Sequence, residues 1–276
     1  MSSAGLELRA CALAALRCDD PAQKVALTRA LAGIHVIDPA LALVAPSTPG
    51  RPMHPLLVPP QKVPRRRPGS PAGRAALLHA IAHIEFNAIN LALDALVRFA
   101  GMPPEFYRDW LRVATEEALH FELLARHLGT LGHAYGDFVA HDGLWEAARK
   151  TADDVLARMA LVPRVLEARG LDVTPGMQAK LQEAGDHAAA DILQIILRDE
   201  IGHVAIGNRW YHWLCASRQL APEPTFRALC ATYGQSLPHP PFNVAARLAA
   251  GFSEGELLRF MPAATGGSIA DAGAAP

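Results

Sequence analysis

Apolar residues recur at helical spacing through four long stretches of the chain, and no stretch alternates apolar and polar positions in the manner of a β-strand. The four stretches cover residues 73–100, 104–129, 143–169 and 177–217. Gly101 separates the first pair of predicted helices, while Gly170 and Pro175 separate the second pair. The pattern therefore predicts an all-α protein.

A glycine-rich connection, residues 129–142, joins the two predicted helix pairs. Fully extended, it reaches on the order of 45 Å, which is enough to run the length of a helical bundle. A hairpin, a long crossover and a second hairpin are the connectivity of ferritin-like folds. The sequence thus predicts a ferritin-like four-helix bundle over residues 74–217, with the long crossover between its second and third helices.

Two segments precede the predicted bundle. Residues 1–45 are interpreted as an N-terminal helical cap, because residues 6–33 show two short helical patterns that break at an Asp-Asp-Pro sequence ending in Pro21. Residues 46–71 contain nine prolines, which excludes a helix or a central strand there. Residues 46–73 are therefore predicted to form a strap packed across the bundle, with a disordered tether as the alternative.

Two further segments follow the predicted bundle. Residues 218–260 are interpreted as a C-terminal capping segment. Within it, residues 237–260 combine a proline-rich entry with an amphipathic helix, which either covers a site or completes the core. Residues 261–276 are rich in alanine, glycine and serine and are predicted to be disordered.

Carboxylate and imidazole side chains lie in the middle of apolar helix faces. Glu85 shares the apolar face of the first bundle helix, Glu117 and His120 share that of the second, and Glu200 and His203 share that of the fourth. A buried carboxylate without a partner costs several kcal/mol, so these side chains require a compensating cation. The pattern predicts metal ions inside the bundle.

The ligand pattern is repeated in the two halves of the chain. The spacing Glu-x-x-His places both side chains on one helix face about a turn apart, and it occurs at Glu117 and at Glu200. A lone glutamate precedes each motif, Glu85 by 32 residues and Glu167 by 33. This is the ligand set that di-iron carboxylate bundles use, although Glu167 can also be interpreted as a surface residue near a helix end.

An acidic residue stands directly before each motif glutamate, namely Glu116 and Asp199. Such a residue can reach the histidine of the opposite helix and fix its orientation and tautomer, and the alternative is a solvent-exposed acid. The pair His79 and His83 is interpreted as packed side chains rather than a second metal site. Tyr211 is interpreted either as a redox neighbour of the metal or as a packing residue.

Composition and charge limit the classes of partner. The formal net charge is −1 and the pI is about 6.9, so no global charge attracts nucleic acid or a membrane surface, and the basic run Arg65 to Arg67 is interpreted as a solvated linker. The four cysteines include no Cys-x-x-Cys pair, and neither a signal peptide nor a membrane-spanning apolar run is apparent. The sequence predicts a soluble cytoplasmic protein with reduced thiols.

Five sequence strings together resemble an uncharacterised bacterial family of the ferritin-like superfamily, a domain of unknown function: HAIAHIEFNAINLALD, EEALHF, VPRVLEARGLD, ILRDEIGHVAIGNRW and PPFNVAARLAAGF. The resemblance spans roughly residues 6–260. It implies a ferritin-like bundle with metal ligands at Glu85, Glu117, His120, Glu167, Glu200 and His203. The string around Glu167 is also similar to the tRNA-modifying hydroxylase, but the absence of a strongly basic character argues against an RNA substrate.

The function predicted from these observations is an oxygen-activating oxidase or hydroxylase that holds two iron ions and acts on a small organic substrate. Manganese, or a mixed iron and manganese pair, fits the same carboxylate and imidazole ligands. The alternatives are a ferroxidase or iron-storage protein and a structural bundle with an idle metal site. The expected partners are dioxygen and the small molecule, the expected state is a monomer or homodimer, and no catalytic residue or organic cofactor is predicted.

Overall fold

A computed structural model of the chain describes residues 6–64 and 69–261. Within these ranges the protein is helical, without strands, and its extended pairing consists of two single-residue bridges. The predicted all-α class is therefore confirmed. The basic run Arg65 to Arg67 and the tail predicted beyond Met261 lie outside the described residues.

Eleven α-helices occur in the described part of the chain. The N-terminal helices are α1 (Leu8–Arg17) and α2 (Pro21–Ala30), and the two long helices that follow are α3 (Pro71–Arg98) and α4 (Pro104–Thr130). The second half contains α5 (Gly143–Lys150), α6 (Val155–Leu161), α7 (Ala168–Glu183) and the longest helix, α8 (His187–Ser217). The C-terminal helices are α9 (Pro222–Thr232), α10 (Val244–Ala249) and α11 (Glu254–Arg259).

The core lies between two helix pairs. Helix α3 packs along α4, α7 packs along α8, and α4 packs against α8 across the middle of the molecule. Within the described residues, α3 is the one helix long and apolar enough to span a membrane, and 89% of its apolar window is buried inside the protein. That burial is typical of a core helix.

The structure corrects the predicted bounds of the third and fourth helices. The stretch 143–169 divides into α5, α6 and a π-helical segment over Val162–Glu167, while α7 continues through Gly170 and Pro175 to Glu183. Pro175 has no N–H to donate to the carbonyl of Leu171, and the side-chain amide of Asn243 donates to that carbonyl instead, over 3.2 Å. An external donor thus replaces the helical hydrogen bond that the proline removes.

The turn between α7 and α8 lies later than predicted. Gly185 has φ of +77°, a conformation that favours glycine, and it ends the last turn of α7. The side chain of Asp186 then caps the start of α8 by accepting a hydrogen bond from the backbone N–H of Ala189. The helix break at residues 184–186 therefore replaces the break predicted at Gly170 and Pro175.

The described part of the proline-rich strap lies against the crossover that follows α4. The backbone N–H of Val58 donates to the carbonyl of Ala140, and the N–H of Ala140 donates to the carbonyl of Leu56. The indole of Trp145 donates to the carbonyl of Ser47 near the start of the strap. These hydrogen bonds fix the strap to the protein.

The C-terminal helices contribute to the core. Phe226 of α9, Ala246 of α10 and Leu257 of α11 are buried, as is Phe252 between α10 and α11. Helix α10 packs against both α7 and α8. Residues 237–260 therefore complete the core beside the second helix pair.

Candidate metal centre

Helices α3, α4 and α8 bring four predicted ligands together. One ligand atom from each of Glu85, Glu117, His120 and Glu200 lies within 4.8 Å of the other three. The glutamates of α3 and α8 thus meet the first Glu-x-x-His motif, on α4, at one point in the core. This group can hold a metal ion.

The ring of His120 spans the distance between the acidic group and an outer carboxylate. Its Nδ1 atom lies 3.1 Å from Glu85 Oε2 and 3.3 Å from Glu117 Oε2. Its Nε2 atom lies 3.2 Å from Oδ2 of Asp199 on α8. Because Nε2–H donates to Asp199, Nδ1 is the nitrogen whose lone pair would be available to a metal ion bound by the carboxylate group.

His203 repeats this arrangement from the opposite helix. Its Nδ1 atom lies 3.0 Å from Glu117 Oε1 and 3.6 Å from Glu200 Oε1. Its Nε2 atom lies 2.8 Å from Oε2 of Glu116 on α4. Glu117 therefore lies between the two histidines, with one carboxylate oxygen towards each.

The outer carboxylates connect the buried histidines to the protein surface. Glu116 accepts a hydrogen bond from Arg112, and Asp199 accepts two from Arg198. Both arginine side chains are mostly exposed. Partial burial acts to raise the pKa of both carboxyl groups, but the hydrogen bonds of Glu116 with His203 and Arg112, and those of Asp199 with Arg198 and His120, lower it. Both groups therefore remain charged acceptors for the histidines.

The inner predicted ligands are shielded from water, and several of their polar atoms lack a well-directed hydrogen bond. Glu117, His120 and His203 are fully buried, and Glu85 is 3% exposed. One oxygen of Glu167 and one of Glu200 are buried without a hydrogen-bond partner, and Oε1 of Glu117 and Nδ1 of His203, although 3.0 Å apart, make no well-directed hydrogen bond. Such atoms carry a desolvation penalty that a metal ion removes.

The pKa shifts of the four carboxyl groups show that the group requires positive charge. Burial, with the charge of Glu117 beside them, raises the pKa of Glu85 and of Glu200, and burial with the nearby Glu200 raises that of Glu167. Burial acts to raise the pKa of Glu117 too, but the charge of His203 and the contacts with both histidines hold it below its usual range. Four acidic groups therefore compete for few cations.

The histidines respond in the opposite direction. Burial alone would lower the pKa of His120, but its contacts with Glu117 and Glu85 raise it to about 11. The pKa of His203 is also raised, against the effect of burial, by Glu117, Glu116 and Glu200. In the protein without metal, protons on these two rings supply positive charge that metal ions would supply in their place.

Glu167 lies beside the group without being one of its four closest members. It ends the π-helical segment, its Oε2 atom is buried without a hydrogen-bond partner, and its carboxylate interacts with those of Glu200 and Glu117. The side chain as a whole is half-buried. The structure thus brings all six predicted ligands to one region and holds four of them closest together, and their metal-binding roles stay predictions.

The remaining candidates lie away from the group. His83 contacts the hydroxyl of Tyr135, and His79 accepts a hydrogen bond from the backbone of Gly136, so this pair packs against the crossover. Tyr211 donates from its hydroxyl to the carbonyl of Pro222, at the start of α9. Its contacts are those of a packing residue.

Several buried cations were not predicted from the sequence, and Arg9, Lys24, Arg164 and Arg247 are each at most 1% exposed. Arg164 and Arg247 form ion pairs with Glu256 and Asp172. Their partners are 92 and 75 positions away, so helical spacing gave no signal for either pair. Arg164 precedes Glu167 by three residues and lies in the same π-helical segment.

Comparison with known proteins identifies a family. The sequence profile described as "Protein of unknown function (DUF455)" matches residues 17–258. A protein of Haemophilus influenzae, named "Uncharacterized protein", is 55% identical over 213 residues, which cover 75% of this chain and 74% of that protein. No solved structure matches the chain at a significant level.

Proposed function

The chain belongs to the DUF455 family, whose function is unknown, and we propose that it is a dinuclear-metal oxidase or hydroxylase that uses dioxygen to oxidise a small organic substrate. Iron is the proposed metal, because carboxylate and imidazole donors without a thiolate suit iron or manganese better than structural zinc. The proposed location is the cytoplasm, the proposed state is a monomer or homodimer, and nucleic acid and membranes are not proposed as partners.

One observation carries this proposal: Glu117 is fully buried between two histidines, each of which directs Nδ1 to one of its oxygens. A carboxylate with an imidazole on either side has the donors needed to bridge two metal ions. Glu85 and His120 would hold one ion, Glu167 and His203 would hold the other, and both ions would share Glu117 and Glu200. Four carboxylates among these ligands match four positive charges.

The fold supports the same proposal. Two packed helix pairs, α3 with α4 and α7 with α8, are joined by a connection of turns and bends over residues 131–142, followed by α5 and α6. We propose that these elements form a ferritin-like four-helix bundle, with α5, α6 and the π-helical segment completing its third helix. In that arrangement each pair of helices supplies a lone glutamate and a Glu-x-x-His motif.

The protein's own residues would prepare the site for chemistry. Asp199 and Glu116 hold the Nε2–H of the two ligand histidines and so fix the orientation of both rings. The protein around Glu117 and Glu85 excludes water from these two carboxylates. The Glu200 side chain is 13% exposed, so the site is more open to solvent on the side of Glu200. When bound, a reduced iron pair supplies the electrons that activate dioxygen.

Dioxygen uptake tests the proposed reaction. Protein loaded without air with two equivalents of ferrous iron should consume dioxygen faster than the same iron in buffer, and chelation of the iron should abolish the difference. We expect limited turnover until an oxidisable organic substrate is added. Uptake no faster than that of free ferrous iron would contradict the proposed oxidase, and continued uptake with iron retained far above two per chain would indicate storage instead.

A further inference from the structure

Residues on both sides of Glu167 in the chain are bound by the C-terminal part of the protein. It is the last residue of the π-helical segment Val162–Glu167, and α7 begins directly after it. A fully buried arginine pairs with a carboxylate on each side of it: Arg164 with Glu256, and Arg247 with Asp172. In each pair one partner comes from the region of Glu167 and the other from residues 243–256.

The first ion pair, Arg164 with Glu256, holds the π-helical segment. The guanidinium of Arg164 donates to Glu256 of α11 and to the side-chain oxygen of Asn208 on α8, 2.6 Å away. It also lies 5.1 Å from the ring centre of Phe252, between α10 and α11. Asn208 in turn donates to the carbonyl of Ala250, 2.6 Å away. Arg164 is therefore connected to the C-terminal segment directly and through α8.

The second ion pair, Arg247 with Asp172, holds the first turns of α7. Arg247 of α10 makes two hydrogen bonds to Asp172, of 3.0 and 2.7 Å, and a third to the carbonyl of Ala168, the residue after Glu167. The backbone N–H of Asn243 donates to the same carboxylate of Asp172. Because two hydrogen bonds join one guanidinium to one carboxylate, their relative orientation is fixed.

The other ligands need no such support. Glu85, Glu117 and His120 lie in the interiors of the long helices α3 and α4, which pack along one another. Glu167 instead lies at the end of an irregular segment that contains Pro163 and is not among the four closest ligands. A π-helical turn changes the direction of the side chains that follow it, so the placement of Glu167 depends on what holds that turn.

We propose that residues 243–256 form a C-terminal clasp that positions Glu167 as a metal ligand, through Arg164 and Glu256 before it and through Arg247 and Asp172 after it. This inference rests on the proposed dinuclear site. The four clasp residues are positioning residues, because none of them is itself a proposed ligand. The clasp makes the two metal positions unequal: the affinity for the ion held by Glu85 and His120 does not depend on it, whereas the ion held by Glu167 binds more tightly because of it.

Stepwise titration of the metal-free protein with cobalt(II) tests the clasp without measuring activity. Calorimetry and the visible absorption of the bound cobalt monitor each binding step. The wild-type protein should bind two ions. Glu256→Gln retains the side-chain volume and one oxygen acceptor but removes the charge that pairs with Arg164. It should bind the first ion with wild-type affinity and the second about 10- to 100-fold more weakly. Glu254→Gln, an exposed residue of the same helix, is the matched control and should bind both ions normally.

A double-mutant cycle separates positioning from general stability. Glu167→Gln should weaken the second ion as Glu256→Gln does, and the double variant should be no weaker than Glu167→Gln alone. Asp172→Asn tests the other ion pair by the same measurement if Glu256→Gln does not fold. The clasp is contradicted if these variants bind the second ion normally, or if the effects of Glu167→Gln and Glu256→Gln multiply. Wild-type protein that binds no cobalt would instead contradict the proposed metal centre itself, and the clasp with it.

Discussion

His120 and Asp199 are 79 positions apart in the chain, yet His120 Nε2 lies 3.2 Å from Asp199 Oδ2. The equivalent contact joins His203 of α8 to Glu116 of α4 over 2.8 Å. Each Glu-x-x-His helix therefore supplies the carboxylate that orients the histidine of the other. This reciprocity makes the two motifs one structural unit.

Asp199→Asn tests that unit. The asparagine retains the size of the side chain but loses the charge that orients His120, so we expect a folded protein whose metal affinity is about 10- to 100-fold weaker. Metal titration measured by calorimetry checks the change. Asp191→Asn, at an exposed position of the same helix, is the control. Equal affinity in Asp199→Asn and the wild type would show that the outer carboxylate has no orienting role.

Glu117→Ala should lose more metal than removal of any other single ligand except Glu200. Its two oxygens face His120 and His203 over 3.3 and 3.0 Å, so its loss removes a donor from both metal positions. Elemental analysis after iron loading and desalting should find less than one ion per chain. Glu105→Ala, an exposed glutamate at the start of the same helix, should retain the wild-type content. Full metal content in Glu117→Ala would exclude its bridging role.

The ligand helices were predictable because their signals are local. Apolar periodicity predicts the all-α class, and a Glu-x-x-His spacing fixes two side chains on one helix face without reference to the rest of the chain. Glu116 and Asp199 were identified for the same reason, since each directly precedes a motif glutamate. Information within one or two turns was sufficient for these positions.

The surroundings of Glu167 depend on distant residues and were not predictable. Pro175 carries a helix-ending signal, but Asn243, 68 positions later, supplies a donor to the carbonyl that Pro175 leaves unpaired. The charge of Arg164 favours a position at the surface, but Asn208 and Glu256 accept hydrogen bonds from it in the core. Tertiary contacts overrode local propensity at each of these positions.

The buried amine of Lys24 predicts how stability depends on pH. Lys24 is fully buried, donates to the carbonyl of Leu16 and to Asn90, and burial lowers its pKa from 10.5 to about 7. Between pH 7 and pH 10 the unfolded chain therefore binds more protons at this residue than the folded chain does. Its contribution makes stability rise with pH across that range, by at most about 1.4 kcal/mol per pH unit.

Lys24→Met should remove this contribution. Urea unfolding at pH 7, 8 and 9 should give a free energy of unfolding that rises less steeply with pH in the variant than in the wild type. Lys180→Met, at an exposed position of α7, should leave the slope unchanged. The same slope in Lys24→Met and the wild type would mean that Lys24 keeps its ordinary pKa in the folded protein.

Gly207→Ala probes the contact between α8 and the π-helical segment. A Cβ atom at residue 207 would overlap the ring of Pro163, so we expect a loss of about 1–3 kcal/mol in the free energy of unfolding. Gly170→Ala is the control, since a Cβ there meets no atom within 4 Å, and in a helix it should stabilise by about 0.5–1 kcal/mol. Denaturant unfolding measures both. A neutral Gly207→Ala would show that the segment can move away from α8.

The number of metal ions held by each chain tests the dinuclear centre most directly. The protein is loaded with ferrous iron and desalted. Elemental analysis then gives this ratio, and light scattering gives the molecular mass of the same sample. The proposed ligand set predicts two ions per chain in a monomer or homodimer, because four carboxylates and two histidines can hold two divalent ions and no more. One ion or none per chain, or iron far above two per chain in a large hollow assembly, would contradict it.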